Sequence, residues 1–353
     1  MKIVYILLII LFTACGSGSS GKKSTTTNLT EKLISVQWSM YWNNNFYVDN
    51  DIDENAHIHH KENIEQYTGA GITIVVIDDG LDVTHEDLIG AISDTWDLST
   101  GSSNVEQNTV YDYHGTAVTG IIAARDNDLG LRGLACNSNI IFLKHKQNMS
   151  DSETIELLSK AESYNPDIIS NSWGTYNVSD SVKYKIQEMA NNGRNGKGVI
   201  FVWAVGNNQR NIEGDESAIP EVIAVGSTNK YNARAYYSNY GVELDVMAPG
   251  GNDNLGVATL DVMGSLGIGY NELNYILPTD TNTFNGTSAS APIVSAIVAI
   301  LLEIDTNLTR VDVENIIRNS SDKIGDVEYI NGHNLYYGYG KVNLTKAIDL
   351  ATF

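Results

Sequence analysis

The chain has 353 residues, of which 42% are hydrophobic and 18% charged, which is enough for one large α/β domain or two small ones. Its 43 acidic and 22 basic side chains give a net charge of −21, so it lacks the excess of Lys and Arg that nucleic-acid binding requires. We therefore expect no nucleic-acid partner, and an attraction for cations or basic substrates. The two cysteines are too few for a disulfide scaffold.

The N-terminus has the pattern of an export signal. The apolar run at residues 3–12 is too short to span a bilayer, and small residues follow it. The string LFTAC resembles the lipobox of bacterial lipoproteins, which implies that Cys15 becomes a lipid-modified first residue. We expect residues 1–14 to be a signal peptide and residues 15–30 to be the lipidated cysteine with a flexible tether. An ordinary cleaved secretory signal is the alternative. Both predict export, and the first predicts a lipid anchor in a bacterial membrane, facing the periplasm or the cell exterior.

Residues 31–353 have a uniformly globular composition, and we interpret them as one domain. Apolar runs predict buried parallel strands at 72–78, 139–144, 167–173, 198–205 and 222–228. Helical spacing of apolar residues predicts helices at 116–124, 152–164 and 182–192. The nearly all-apolar segment 289–302 is shorter than a membrane span, so we interpret it as a central buried helix. This alternation predicts a parallel sheet covered on both faces.

Four chemically useful side chains lie at predicted strand ends or helix starts, namely Asp78, His114, Asn207 and Ser288. Each of them alone is typical of a turn or a helix cap. Together they supply a hydroxyl nucleophile, a base, a carboxylate that orients the base and an amide donor for a developing oxyanion. The combination therefore predicts nucleophilic hydrolysis.

The order Asp, His, Ser and the segments VVIDDGLD, HGTAVTGII, WAVGNN and NGTSASAP resemble the subtilase family of serine endopeptidases. The resemblance covers residues 31–353, and the strings DDG, SNSWG and GTSASAP are similar to the kexin- and furin-like branch. It implies a subtilisin-like three-layer α/β/α fold with a mostly parallel central sheet. It also implies a monomeric enzyme that acts on proteins or peptides.

The resemblance assigns catalytic roles to these residues. It implies that Asp78 orients His114, that His114 is the base, that Ser288 is the nucleophile and that Asn207 donates to the oxyanion. Asp79 is the second, non-catalytic acid of the DDG string.

The resemblance also implies a substrate site. The backbone of Ser172, Trp173 and Gly174 would pair with the substrate as an added strand. The kexin-like branch carries an acidic pocket for basic residues, and here Glu213 and Asp215 are the candidates for it. We therefore expect a preference for a basic residue just before the cut.

The stretch RDNDLGL at 125–131 is similar to the calcium loop of subtilases. The implied Ca²⁺ ligands are the carbonyls of Arg125, Leu129 and Leu131, the side chain of Asn127, and the carboxylates of Asp87 and Glu31. A polar turn without metal is the alternative. Asn239 stands where the branch has an acid, so we expect a second calcium site to be lost.

Other interpretations of function remain open. Residues 16–30 are too few for the folding prodomain that subtilases usually carry, so we expect activation by a separate folding chaperone, or by no other protein. One alternative to an active protease is a pseudoprotease that binds peptides without cutting them. Another is a maturation protease dedicated to one exported partner. The HIHHK string at 57–61 is compatible with a metal site, but we interpret it as a polar loop.

Overall fold

The structure is a computed structural model that describes residues 33–60, 66–252, 254–268 and 274–352. The predicted signal peptide and tether, with Cys15 and Glu31, lie outside these ranges.

A seven-stranded parallel sheet forms the centre of the fold. Its strands in chain order are β1 (Thr73–Asp78), β2 (Ile92–Asp97), β3 (Asn139–Lys144), β4 (Ile168–Asn171), β5 (Ile200–Ala204), β6 (Val222–Thr228) and β7 (Val246–Pro249). Their spatial order is β2-β3-β1-β4-β5-β6-β7, and Ile74 of β1 lies opposite Ile140 on one side and Ile168 on the other. A separate antiparallel pair is formed by β8 (Thr259–Leu260) and β9 (Tyr275–Ile276).

The helices of the described chain are α1 (Asn44–Asp49), α2 (His114–Ala123), α3 (Asp151–Ser163), α4 (Asp180–Gly196), α5 (Thr287–Ile304), α6 (Arg310–Ser320) and α7 (Leu344–Ala351). The helices form two layers, one on each face of the sheet. Strand β1 shows this, because successive side chains of a strand point to opposite faces. Ile74 and Val76 join the core that contains α2 and α5, whereas Val75 and Ile77 join the core that contains α3 and α4. The predicted three-layer α/β/α fold is confirmed.

Local sequence explains where helix α3 begins and where helix α4 ends. Ser150 and Glu153 form a capping box at the start of α3. Helix α4 loses helical geometry from Gly193 onward, which agrees with the predicted end at residue 192.

Among the described helices, α5 is the one long and apolar enough to cross a bilayer. However, 89% of its most apolar window is buried inside the protein. The prediction of a core helix is therefore confirmed, and the site residue Ser288 lies at its start.

The segment 33–60 is bound to the rest of the domain by long-range hydrogen bonds. Gln37 donates to the Arg132 carbonyl at 2.9 Å and accepts from the Arg132 N–H at 3.1 Å. The buried Trp38 indole donates to the Gly256 carbonyl at 2.7 Å. This segment is therefore an integral part of the folded domain.

Candidate active site

Two consecutive elements bring Asp78 and His114 together. Asp78 is the last residue of β1, and His114 is the first residue of α2. His114 Nδ1 lies 2.7 Å from Asp78 Oδ1, within hydrogen-bonding distance. Gly115 permits this approach, because a Cβ at that position would lie 2.4 Å from the Gly80 carbonyl oxygen.

Asp78 and His114 each shift the pKa of the other in favour of its charged form. Burial opposes ionisation of Asp78, but the charge and hydrogen bond of His114 hold the pKa of the carboxyl below its usual range. Burial also lowers the pKa of His114, but the Asp78 carboxylate raises it more, so that the pKa of His114 lies above its ordinary value. The side chain of His114 is 27% exposed, so its free nitrogen can meet a substrate.

Asp79 is a second carboxylate beside the pair. Its Oδ1 accepts a hydrogen bond from the Gly115 N–H at 2.9 Å, and burial together with Asp78 raises its pKa. Asp78, Asp79 and His114 form the one group in the described chain whose atoms are close enough to share a metal ion. Because His114 Nδ1 and Asp78 Oδ1 already bond each other, we interpret the group as an acid–base pair.

Ser288 lies across the site from β4. Its Oγ donates to the Ser172 carbonyl at 3.2 Å, while the Ser172 hydroxyl donates to the Ser288 carbonyl at 3.1 Å. No hydrogen bond joins Ser288 Oγ to His114 within the described residues. Bonds of this kind are often long or poorly aligned in ligand-free enzymes and tighten when substrate binds.

Asn207 is fixed by the residue that precedes the nucleophile. Its Oδ1 accepts from the Thr287 N–H at 2.9 Å and from the Thr287 hydroxyl at 3.0 Å. Because the amide is planar, these two bonds set the direction of the Nδ2 donor. Gly286 has φ +112°, a conformation that favours glycine, and its backbone lies against the Asn207 amide. The geometry therefore suits an amide aimed at charge developing near Ser288.

A pocket of about 170 Å³ opens beside Ser288. Ser172, Trp173 and Gly174 line it, as the predicted substrate strand requires. The Trp173 carbonyl also accepts a hydrogen bond from the Trp203 indole, which leaves its second lone pair for a substrate N–H.

The acidic wall of the pocket differs from the prediction. Asp215 lines the pocket as predicted, but Glu213 is exposed and does not reach it. The buried Glu216 takes its place, and its carboxylate accepts hydrogen bonds from the backbone N–H and the hydroxyl of Thr175. Glu213 lies in the exposed loop before the short 3₁₀ turn Glu216–Ala218, and the turn directs Glu216 inward.

Three residues that line the pocket each have one buried polar atom without a hydrogen-bond partner among the described residues: Trp173 Nε1, Asp215 Oδ1 and Ser217 Oγ. Burying a polar group without a partner costs free energy, so these atoms are a local cost of the pocket wall.

Two residues of the site, Thr287 and Glu216, were not predicted from the sequence. Thr287 directly precedes Ser288 in the string GTSASAP, so its place next to the nucleophile could be read from the sequence. Its contact with Asn207 could not. Glu216 follows Asp215 directly, and the local sequence alone does not show which acid of that loop points inward.

Asp87 lies against the implied calcium loop at Leu131, whereas Glu31 lies outside the described residues. Asp87 is fully buried, and its Oδ2 accepts from the Leu131 N–H at 3.0 Å. Its Oδ1 is buried and accepts no hydrogen bond from a described residue, and burial raises the pKa of this carboxyl. Asn127 Oδ1 accepts from the Leu129 N–H at 3.0 Å, and the Arg125 carbonyl accepts from the Asn127 N–H at 3.0 Å. A buried carboxylate oxygen without a partner beside this loop fits a hard cation such as Ca²⁺.

At position 239, where the kexin-like branch has an acid, the Asn239 side chain bonds to the backbone. Its Nδ2 donates to the Val205 carbonyl at 2.7 Å, and its Oδ1 accepts from the N–H groups of Asn208 and Arg210 at 2.9 and 3.1 Å. The fully buried amide satisfies both kinds of backbone group.

The histidines of the HIHHK string use their ring nitrogens within the protein. His57 Nδ1 accepts from the His59 N–H at 2.9 Å, and His59 Nε2 lies 3.2 Å from Asp322 Oδ2. Burial lowers the pKa of both His57 and His60. Residues 57–60 form a loop without helix or strand, as expected, and His59 ties this loop to the C-terminal part of the chain.

The sequence profile described as the subtilase family matches residues 69–340. A calcium-dependent protease from Trichormus variabilis is 31% identical over 84% of this chain, and the chain spans 49% of that relative's length. A subtilisin from Bacillus pumilus is 29% identical over 80% of this chain and 92% of the relative.

Among solved structures, an Aeromonas sobria serine protease in complex with a chaperone matches with a TM-score of 0.72 at 20% identity. The match covers 81% of this chain and 60% of that one, and it supports the fold. Together with the profile match over most of the chain, these observations show that the chain belongs to the subtilase family.

Proposed function

We propose that this chain is a serine endopeptidase. His114, oriented by Asp78, removes the proton from the Ser288 hydroxyl as its oxygen attacks a peptide carbonyl. Asn207 Nδ2 and the Ser288 N–H stabilise the negative charge that develops on the carbonyl oxygen. His114 then gives its proton to the leaving amine, and water releases the acyl group from Ser288 by the reverse sequence.

The observation that carries this proposal is the 2.7 Å contact between His114 Nδ1 and Asp78 Oδ1. It leaves the other ring nitrogen as the acceptor for a proton. The fixed amide of Asn207 supports the same mechanism, since an oxyanion donor has no evident use in a protein that only binds peptides.

A fluorophosphonate probe tests the proposal. We expect it to label Ser288 in the folded protein, as mapped by mass spectrometry, and to label neither Ser288→Ala nor acid-denatured protein. A folded wild type that resists the probe and leaves peptides intact would instead be a pseudoprotease.

We further propose that the pocket beside Ser288 prefers a basic side chain before the cut, as in the kexin-like branch. The acids Asp215 and Glu216 support this preference, since both line the pocket. A guanidinium offers several donors in a planar fork that matches carboxylate oxygens.

We propose that the loop 125–131 binds Ca²⁺ in a structural role. The carboxylate of Asp87, the side chain of Asn127 and the carbonyls of Arg125, Leu129 and Leu131 would hold it, with Glu31 as a further candidate. The unpaired Asp87 Oδ1 supports this assignment, and so does the name of the calcium-dependent relative. Bound Ca²⁺ would neutralise the buried carboxylate and join loop 125–131 to the turn that contains Asp87.

The remaining proposals concern the whole protein in the cell. We propose that it is exported, that Cys15 anchors it to a bacterial membrane through lipid, and that it acts there as a monomer on proteins. Incorporation of labelled palmitate into the wild type and its loss in Cys15→Ser would support the anchor. We also propose a separate folding chaperone, which co-expression with neighbouring genes would test by the yield of active enzyme.

A further inference from the structure

One wall of the pocket beside Ser288 is held from behind by a cation. Arg210 Nη2 lies 2.5 Å from Asp215 Oδ2, and the Arg210 guanidinium lies 4.5 Å from the centre of the Tyr176 ring. Asp215 and Tyr176 line the pocket, whereas Arg210 does not. Arg210 therefore contacts two wall residues without occupying the space that a substrate would fill.

The two acids of the wall have different partners. Asp215 shares one oxygen with Arg210 and keeps the other, Oδ1, buried and unpaired. Glu216 accepts hydrogen bonds from Thr175 and has no cationic partner in the part of the chain that the structure describes. The wall thus contains one neutralised and one uncompensated carboxylate.

Tyr176 is held in a conformation that tyrosine rarely adopts. Its φ is +69°, in the left-handed region, where a side chain with Cβ is strained. The exposed ring has Arg210 stacked against it. The stack is therefore one of the contacts that keep Tyr176 at the pocket.

We propose that Arg210 is a specificity-determining residue that acts through Asp215 and Tyr176. By pairing with Asp215 it limits the pocket to one uncompensated negative charge, which matches the single positive charge of a basic side chain. By stacking on Tyr176 it fixes the outer wall. This inference rests on the proposed peptidase activity and on the basic preference of the same pocket.

Removal of the Arg210 charge has a definite consequence. Burial raises the pKa of Asp215, and Arg210 opposes that rise. Arg210 is the one cation that pairs with Asp215 among the described residues, so without it no opposite charge would offset the burial of the aspartate. It would then add a second negative charge to the pocket at alkaline pH and become protonated as the pH falls.

The test compares two fluorogenic peptides that differ only in the residue before the cut, arginine or its neutral isostere citrulline. The ratio of their kcat/KM values measures the charge of the pocket. We expect Arg210→Met to raise this ratio about tenfold at pH 9 and to make it fall as the pH is lowered to 6.5. Arg210→Lys should keep the wild-type ratio within about twofold even though it loses the stack on Tyr176, because it retains the positive charge beside Asp215.

Lys185→Met is the matched control, because it removes one positive charge from helix α4, where Lys185 pairs with Glu162 and Glu188 away from the pocket. Melting temperatures of all variants show that they are folded. A ratio in Arg210→Met equal to that of the wild type at both pH values would overturn this inference alone. A wild-type ratio near one would remove the basic preference as well, and no cleavage of either peptide would remove the proposed function with both.

Discussion

The Asn207 side chain accepts two hydrogen bonds from Thr287, at 2.9 Å from its N–H and at 3.0 Å from its hydroxyl. Thr287 is the first residue of α5 and directly precedes Ser288. The candidate oxyanion donor and the candidate nucleophile are therefore held by one short piece of backbone. A shift of either group would disturb the other, which explains how a donor from the loop after β5 stays in register with a serine on α5.

Asn207→Ala removes that donor while leaving the triad residues in place. We expect kcat to fall about 10²–10³-fold with little change in KM, a magnitude taken from subtilisin, because the amide acts mainly on the charge of the transition state. Asn191→Ala, an exposed amide on α4, is the control. Equal losses in both variants would show that the effect is not electrostatic.

Glu216→Gln removes the uncompensated charge of the pocket with little change in shape. Its kcat/KM for a peptide with arginine before the cut should fall by about tenfold or more, while kcat/KM for a leucine peptide changes little. The matched control is Glu213→Gln, three residues earlier in the same loop but exposed, which should behave as the wild type. If the wild type cleaves mainly after leucine, phenylalanine or tyrosine, the pocket does not select a positively charged side chain.

The pH dependence of kcat/KM should reflect the neighbours of His114. His114 must be neutral to accept a proton, and the carboxylates of Asp78 and Asp79 favour its charged form, so its pKa is raised. Activity should consequently be lost as the pH falls through a midpoint above about 6.5, the ordinary histidine value. Asp79→Asn should move that midpoint to lower pH by about one unit, whereas Asp349→Asn should not. An unchanged profile in Asp79→Asn would contradict the proposed charge coupling.

Calcium removal should destabilise the domain. If Ca²⁺ binds only the folded state, saturation at 100 times Kd contributes about 2.7 kcal/mol to the free energy of unfolding. For a domain of about 320 residues, EGTA should then lower Tm by roughly 4 °C. Asp87→Asn keeps an acceptor for the Leu131 N–H but loses the charge, so its Tm should be low and insensitive to EGTA. An EGTA-insensitive wild type without calcium by elemental analysis would exclude the site.

The buried parts of the fold could be predicted from sequence because continuous apolar runs mark strands that are covered on both faces. The edge strand β2 was missed because its sequence ISDTWD is mostly polar and half-exposed. Strand β7 has only four residues and includes a proline, which weakens its strand pattern.

In the same way, Asp78, His114, Asn207 and Ser288 could be identified because they follow or begin regular elements within recognisable strings. The roles of Glu216 and Arg210 depend on how an irregular loop folds back on the pocket. These roles come from tertiary structure. When one loop contains several acids, the local sequence does not show which of them faces the pocket.

The central claim is that Ser288 is the nucleophile of a peptidase, and steady-state hydrolysis by Ser288→Ala tests it most directly. The purified domain should cleave a peptide library, and the variant should retain the wild-type melting curve and circular dichroism. Its kcat should fall on the order of 10⁶-fold, a magnitude taken from subtilisin. Ordinary turnover by a well-folded Ser288→Ala protein would contradict the account.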